Sequence, residues 1–207
     1  MSRLRYNRKQ AVDTLKANCP YLARLIREKG PFSLQVVNSN NLFTSLARSI
    51  AYQQLSGKAA ATIYGRFEAL FENNQPVASD AVNLSVLDLR SVGLSNNKAL
   101  AIIDLAEHSC SGSLPNSRRM AGLDDEAIIK NLCRVRGIGP WTVQMHLIFA
   151  LGRPDVMPAT DLGIQKGIQM TYGLPILPKP DKVLGKTLHL APYRSVASWY
   201  FWRAADD

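Results

Sequence analysis

Apolar side chains recur along almost the whole chain at spacings of three and four residues, as at Val12, Leu15, Leu22, Leu25 and Ile26, at Leu42, Leu46 and Ile50, and at Ile63, Phe67 and Leu70. That period lays the apolar positions along one side of a helix, which another element must then cover. An all-α fold is therefore expected. Between these stretches stand Gly30-Pro31, Ser56-Gly57, Gly93, Gly112, Gly122, Gly152 and Gly173, residue types that cap or stop helices, so the helices should be short. Phe32-Ser-Leu-Gln-Val-Val, residues 32 to 37, has strand composition but no second alternating segment to pair with, and is expected to be irregular. No repeat, low-complexity tract or charged linker divides the sequence, and the proline-rich run from Pro175 to Pro180 is short enough for a loop.

At 207 residues and 46% hydrophobic content the chain can bury a substantial core, as one domain or as two lobes sharing a cleft. A net charge of +9 attracts polyanions, and charge alone does not choose among DNA, RNA and acidic membranes. No apolar run approaches the length of a transmembrane helix, and the first residues lack the apolar segment of a signal peptide, so a soluble, intracellular protein is expected. Cys19, Cys110 and Cys133 form no Cys-x-x-Cys pair and read as reduced structural thiols. His108, His146 and His189 lack the helical i, i+4 pairing of a zinc site and read as hydrogen-bonded or exposed side chains; no metal site is expected.

Between Arg136 and Trp141 the chain reads Arg-Gly-Ile-Gly-Pro-Trp. Gly137 and Gly139 permit a tight hairpin with positive φ, and Pro140 suits the first turn of a helix, where its missing N–H costs nothing. Amides exposed at such a helix start, with the positive end of the helix dipole behind them, bind a phosphate without regard to base sequence. An ordinary helix-to-helix turn would carry the same glycines. Further on comes Asp161, in Met-Pro-Ala-Thr-Asp-Leu-Gly, where it or Thr160 could simply cap the helical segment that follows.

The stretch from Leu132 to Gly163 resembles the helix-hairpin-helix superfamily of DNA glycosylases. Its Gly-Ile-Gly-Pro-Trp-Thr together with Pro-Ala-Thr-Asp-Leu-Gly is similar to the alkylpurine, or 3-methyladenine-type, branch, as are Ser49 to Ala60 and Ala191 to Trp202. The resemblance implies one glycosylase domain over residues 1–207, built from two helical lobes. The middle of the chain would form one lobe and the N- and C-terminal parts the other, with the active-site cleft between them. Some relatives add an N-terminal β domain, for which the residues before Asn41 are too few.

By the same resemblance Asp161 matches the catalytic aspartate, and Trp141, Met145, Tyr193 and Gln54 match the pocket for the extruded base. Leu55 matches a wedge that fills the gap left by a flipped nucleotide, and Ser56, Lys58, Arg136, Gly137, Ile138, Gly139 and Lys166 match DNA contacts. Taken as residues alone, Trp141 belongs to a helix apolar on nearly every face and would be buried, Leu55 could be the last core contact of the preceding helix, and the three cations could be solvated surface charges. Lyase relatives carry a Schiff-base lysine where Trp141 stands, so a monofunctional, water-using enzyme in base excision repair is implied. Iron–sulfur relatives carry a four-cysteine loop near the C-terminus, whereas no cysteine follows Cys133, so no cluster is expected. No redox cofactor is implied, and a monovalent cation held by hairpin carbonyls is. The implied partner is double-stranded DNA containing alkylated bases, met by a monomer in the cytoplasm and nucleoid, or in the nucleus of a eukaryote. Tyr193 stands where tryptophan is frequent, and Ser56 where some relatives carry a larger residue, so the range of bases accepted is left open. A lesion or abasic-site binder without catalysis, and a scaffold module holding DNA for a partner, are the rival readings.

Overall fold

Thirteen α-helices order the described residues of the computed structural model, 4–36 and 41–206, and no strand occurs among those residues. In chain order they are α1 (Arg8–Asn18), α2 (Pro20–Lys29), α3 (Leu42–Tyr52), α4 (Gly57–Glu68), α5 (Ala78–Ala81), α6 (Val86–Ser91), α7 (Asn96–Cys110), α8 (Ser117–Gly122), α9 (Asp125–Leu132), α10 (Pro140–Phe149), α11 (Leu162–Tyr172), α12 (Pro180–Thr187) and α13 (Arg194–Ala205). Residues 32–36 are irregular, as expected, and Val37 lies outside the described residues.

Short polar side chains start these helices. Asn7, Asn41, Ser56, Ser85, Ser95, Asn116, Asp124 and Asp161 each accept a backbone N–H from the first turn, satisfying a donor the helix itself leaves unpaired. Gly30 and Gly173 end α2 and α11 with φ of 77° and 62°. Gly122 departs from the expected pattern: it is the last residue inside α8 rather than a stop beyond it.

Backbone contacts gather the chain into two compact units, Met1–Asn38 with Gln144–Asp207, and Ser39–Val143; the division falls inside α10. In the contiguous unit α7 is the central element, packed by α3, α5 and α6. Its core includes Phe43, Leu46 and Ile50 of α3, Phe67 of α4, Ile102 and Leu105 of α7, and Ile128 and Leu132 of α9. In the other unit α13 is central, with every residue from Ser195 to Phe201 buried, packed by α1, α2 and α11. Its polar groups are satisfied locally: the Tyr200 hydroxyl donates to the Gly30 carbonyl at 3.0 Å, and Ser198 Oγ to the Arg194 carbonyl at 2.9 Å.

α11 approaches α13 closely because Gly167 has no side chain. A Cβ there would stand 1.9 Å from the Phe201 carbonyl oxygen and 2.5 Å from its carbon, atoms that cannot move without moving α13. Gly167→Ala is therefore expected to destabilise this unit by about 3 kcal/mol, the upper part of the overpacking range, despite alanine's better helix propensity. Urea unfolding of the two proteins checks this, and equal midpoints would show that the crossing is looser than described.

His146, on α10, is buried, and its pKa is pushed down to about 4 by loss of solvent. The unfolded chain takes up a proton on this ring near pH 6.5, the folded chain only near pH 4, so stability falls as pH drops through that window. The shift corresponds to about 3 kcal/mol. Between pH 7 and pH 4 the wild type is expected to lose about that much more stability than His146→Gln, measured by urea titration at each pH. Parallel pH curves for the two proteins would show that the ring protonates without cost.

Candidate active site

The connection from α9 to α10 is a tight turn. The Val135 amide donates to the Leu132 carbonyl at 3.2 Å and the Ile138 amide to the Val135 carbonyl at 3.1 Å. Gly137 lies between them with φ of 74°, a conformation that favours glycine, and a Cβ on it would also meet Ala101 Cβ at 3.1 Å. Gly139 is different. Its φ is not positive, and a Cβ on it would meet nothing within 4 Å, so the expectation that both glycines serve positive φ is corrected. What Gly139 leaves is an uncovered backbone directly before Pro140, the first residue of α10. The Arg136 amide donates to Asp104 Oδ2 at 2.7 Å, whereas the amides of Gly137 and Gly139 find no acceptor among the described residues. Two unused N–H groups at the start of a helix are suited to an anion.

A second turn, between α3 and α4, is wired to the first. Gln53 donates from Nε2 to the Gly137 carbonyl at 3.0 Å and to Thr142 Oγ1 at 3.3 Å. Lys98 Nζ, on α7, donates to the carbonyls of Ala51 (2.9 Å) and Gln53 (2.7 Å), oxygens that the end of α3 cannot satisfy within itself. Partial burial lowers the Lys98 pKa. On this base Gln54 takes φ of 56°, rare for a residue with a side chain, Leu55 is 40% exposed, and Ser56 caps α4 by accepting from the Ala59 amide. Leu55 is thus an exposed tip rather than a core contact of α3.

Trp141 also overturns an expectation drawn from its apolar helix. It is 41% exposed, while Thr142 and Val143 beside it are buried. Met145, one turn later, is half-buried; Lys58, Arg136 and Lys166 are exposed. Ile138 is 4% exposed, so it anchors the turn from below.

The other unit holds Asp161, half-buried at the start of α11. Its Oδ1 accepts the Ile164 amide at 2.9 Å, a cap, and also Nε1–H of Trp202 on α13 at 2.9 Å. The loop before it is pinned along α13. Arg194 grips Asp155 through Nε and Nη2, both at 2.7 Å, and through its backbone amide at 3.1 Å. Burial alone would raise the Asp155 pKa; these hydrogen bonds and the guanidinium charge bring it below its ordinary value. The Ser195 amide donates to the Pro154 carbonyl, the Val156 amide to Ser195 Oγ, and Gln165 Nε2 to the Ala159 carbonyl. Tyr193, directly before α13, is half-buried with its ring 6.2 Å from that of Tyr6.

Gln54, Leu55, Ser56, Lys58, Arg136, Gly137, Ile138, Gly139 and Trp141 therefore belong to one unit, and Met145, Asp161, Lys166 and Tyr193 to the other. Sequence reasoning missed Gln53, Lys98, Asp104, Gly163 and Trp202. Gln53, Gly163 and Trp202 lie within the family motifs and Lys98 and Asp104 do not, and no local spacing marks their partners. Carbonyls expected to hold a monovalent cation are already partly engaged: those of Leu132, Val135 and Gly137 accept from Val135, Ile138 and Gln53. Among the described residues no cluster of histidine, cysteine, aspartate and glutamate could hold a metal ion, and no helix is long and apolar enough to cross a membrane.

Known proteins share this fold. Over 164 residues the chain is 37% identical to DNA-3-methyladenine glycosylase 1 of Schizosaccharomyces pombe, covering 79% of this chain and 72% of that protein. The solved structure of Schizosaccharomyces pombe 3-methyladenine DNA glycosylase (Mag1) in complex with abasic DNA matches with a TM-score of 0.86 at 34% identity, over 94% of this chain and 95% of that one. The DNA-3-methyladenine glycosidase of Bacillus halodurans matches with a TM-score of 0.84 at 35% identity, over 94% and 88% of the two chains. Residues 47–192, most of the chain and both turns with Asp161, match the family described as HhH-GPD superfamily base excision DNA repair protein, and this chain belongs to that family.

Proposed function

We propose that this protein is a monofunctional DNA glycosylase of base excision repair, which flips an alkylated purine out of duplex DNA and hydrolyses its N-glycosidic bond with Asp161 as the catalytic carboxylate. The carrying observation is the carboxylate itself, held at one oxygen by donors from two helices, in a family of base excision proteins. A purine alkylated on a ring nitrogen is cationic and already a good leaving group. As it departs the sugar becomes positive, and a carboxylate fixed beforehand stabilises that charge without having to reorganise. The same group orients or deprotonates the attacking water.

Exposed Trp141 and half-buried Tyr193 offer ring faces to a cationic base, an attraction of about 2 kcal/mol once water is excluded, with Met145 and Gln54 completing the base-binding set. Leu55, raised on its braced turn, is the wedge that replaces the flipped nucleotide. The Gly137 and Gly139 amides take a phosphate, with Ser56, Lys58, Arg136, the Ile138 backbone and Lys166 as further DNA contacts. A tryptophan at position 141 cannot form the imine of a lyase, so the product is an intact strand with an abasic site. The similarity to 3-methyladenine glycosylase of Schizosaccharomyces pombe, solved in complex with abasic DNA, supports this substrate and product. The reaction needs no redox cofactor. A monovalent cation at the hairpin would draw on carbonyls not already engaged and would serve phosphate binding. The protein acts as a monomer where the genome is kept.

Gly139→Leu is expected to leave stability unchanged, since a Cβ there meets nothing within 4 Å and the pre-proline position tolerates extended backbone. Affinity for undamaged duplex should fall about tenfold, equally for every sequence, because the lost contact is to phosphate. Fluorescence anisotropy on two unrelated duplexes measures this, and unchanged affinity would remove the hairpin from the interface.

Asp161→Asn keeps the size of the side chain and the cap but removes the charge. Single-turnover base release from methylated duplex is expected to fall by about 10²- to 10³-fold, with binding to abasic-site DNA little changed. Chromatography of the released bases identifies the substrate at the same time. Wild-type rates in a folded Asp161→Asn protein would defeat the mechanism, and a wild type that binds abasic DNA yet releases no alkylated base would favour the non-catalytic binder.

A further inference from the structure

Two donors converge on Asp161 Oδ1, and they differ in kind. The Ile164 amide is the local cap that many helices possess, whereas the Trp202 indole comes from α13, 41 residues further along the chain. For the indole to reach that oxygen it must lie against the first turn of α11, and one residue there makes room. A Cβ on Gly163 would stand 2.9 Å from Trp202 Cδ1, 3.4 Å from Nε1 and 3.1 Å from Asp161 Oδ1. Gly163 does not have positive φ, so its backbone conformation would accept alanine; the indole is what excludes a side chain. On α13 the ring is stacked with Phe149, centroids 5.6 Å apart and planes tilted by 30°. Next to it, Phe201 is the residue against which Gly167 closes α11 onto α13.

Resting on the assignment of Asp161 as the catalytic carboxylate, we propose that Trp202 and Gly163 form a positioning pair for it. Trp202 Nε1–H fixes Oδ1 from outside the helix that the carboxylate caps, so rotation about the Cβ–Cγ bond is stopped and the other oxygen keeps one direction. Gly163 preserves the space in which that hydrogen bond forms. Both act through the carboxylate. Their contribution lies in the accuracy with which the carboxylate meets the developing sugar cation, where a displacement of about 1 Å costs on the order of 10²-fold in rate.

Trp202→Phe retains a ring against Phe149 and deletes the N–H; Gly163→Ala retains the indole and displaces it. Each is expected to lower single-turnover excision from methylated duplex DNA by roughly 10- to 100-fold, with affinity for abasic-site DNA within about twofold of wild type. Because both act through one hydrogen bond, the double variant should be no slower than the slower single variant by more than about twofold. Multiplied losses in the double variant, or parallel losses of rate and abasic-DNA affinity, would mark a merely structural role and overturn the pairing. If Trp202→Phe does not fold, Gly163→Ala, which keeps every side chain of α13, decides by its own ratio of rate to affinity. Wild-type rates in both single variants beside an inactive Asp161→Asn would overturn the pairing and leave the catalytic carboxylate standing. Wild-type excision by Asp161→Asn would overturn both.

Discussion

The contact on which the setting of Asp161 depends is the one between α11 and α13 at Gly167, where one helix rests on the carbonyl of the other. Helix axes come this near only where a side chain is missing, and the near approach sets everything one turn away. Gly163 stands four residues before Gly167 on the same side of α11, and Trp202 stands one residue after Phe201 on α13. A wider separation would carry the indole out of reach of Asp161. The opposite end of α13 is fixed independently by the two-pronged grip of Arg194 on Asp155, charge-assisted and directional, so the helix cannot slide along its own axis. With both ends held, the loop ending in Asp161 has little freedom left.

The contiguous unit solves a different problem, presenting backbone rather than a side chain. Its two turns are held by long polar side chains that each satisfy main-chain groups from elsewhere: Gln53 on the Gly137 carbonyl, Asp104 on the Arg136 amide, Lys98 on the end of α3. Asp104 consumes one amide of the hairpin and leaves those of Gly137 and Gly139 without an acceptor among the described residues. The choice of which N–H groups are tied down thus defines which remain for a ligand. The buried Ile138 side chain keeps the turn from lifting when something pulls on it.

The helical fold, its start signals and the hairpin glycine at Gly137 were legible because they are local: period, capping chemistry and positive φ involve residues within a few positions of one another. Asp161 was legible both as a cap and through its family motif. What escaped was exposure and long-range pairing. Trp141 sits in an apolar helix, and nothing nearby in the chain says that Thr142 and Val143 are covered while it is not. Gln53 finds Gly137 84 residues away, Lys98 finds Gln53 across 45, and Asp104 finds Arg136 across 32; no periodicity spans such intervals. Gly139 was misread for a related reason. Glycine is used both for strained backbone and for open approach, and only the surroundings of a Cβ distinguish the two.

The way the chain is divided has a kinetic side. Ser39–Val143 is one uninterrupted stretch, so the hairpin and the turn between α3 and α4 can be assembled from contacts made within it. The unit carrying Asp161 must instead bring Met1–Asn38 back to Gln144–Asp207 across that whole insertion, and closing so long a loop is the entropically slower event. A chain that has formed the turns of Ser39–Val143 need not yet have an indole docked on Asp161. The setting of the Asp161 carboxylate is then the last part of the molecule to be completed, because it waits on the slower of the two closures.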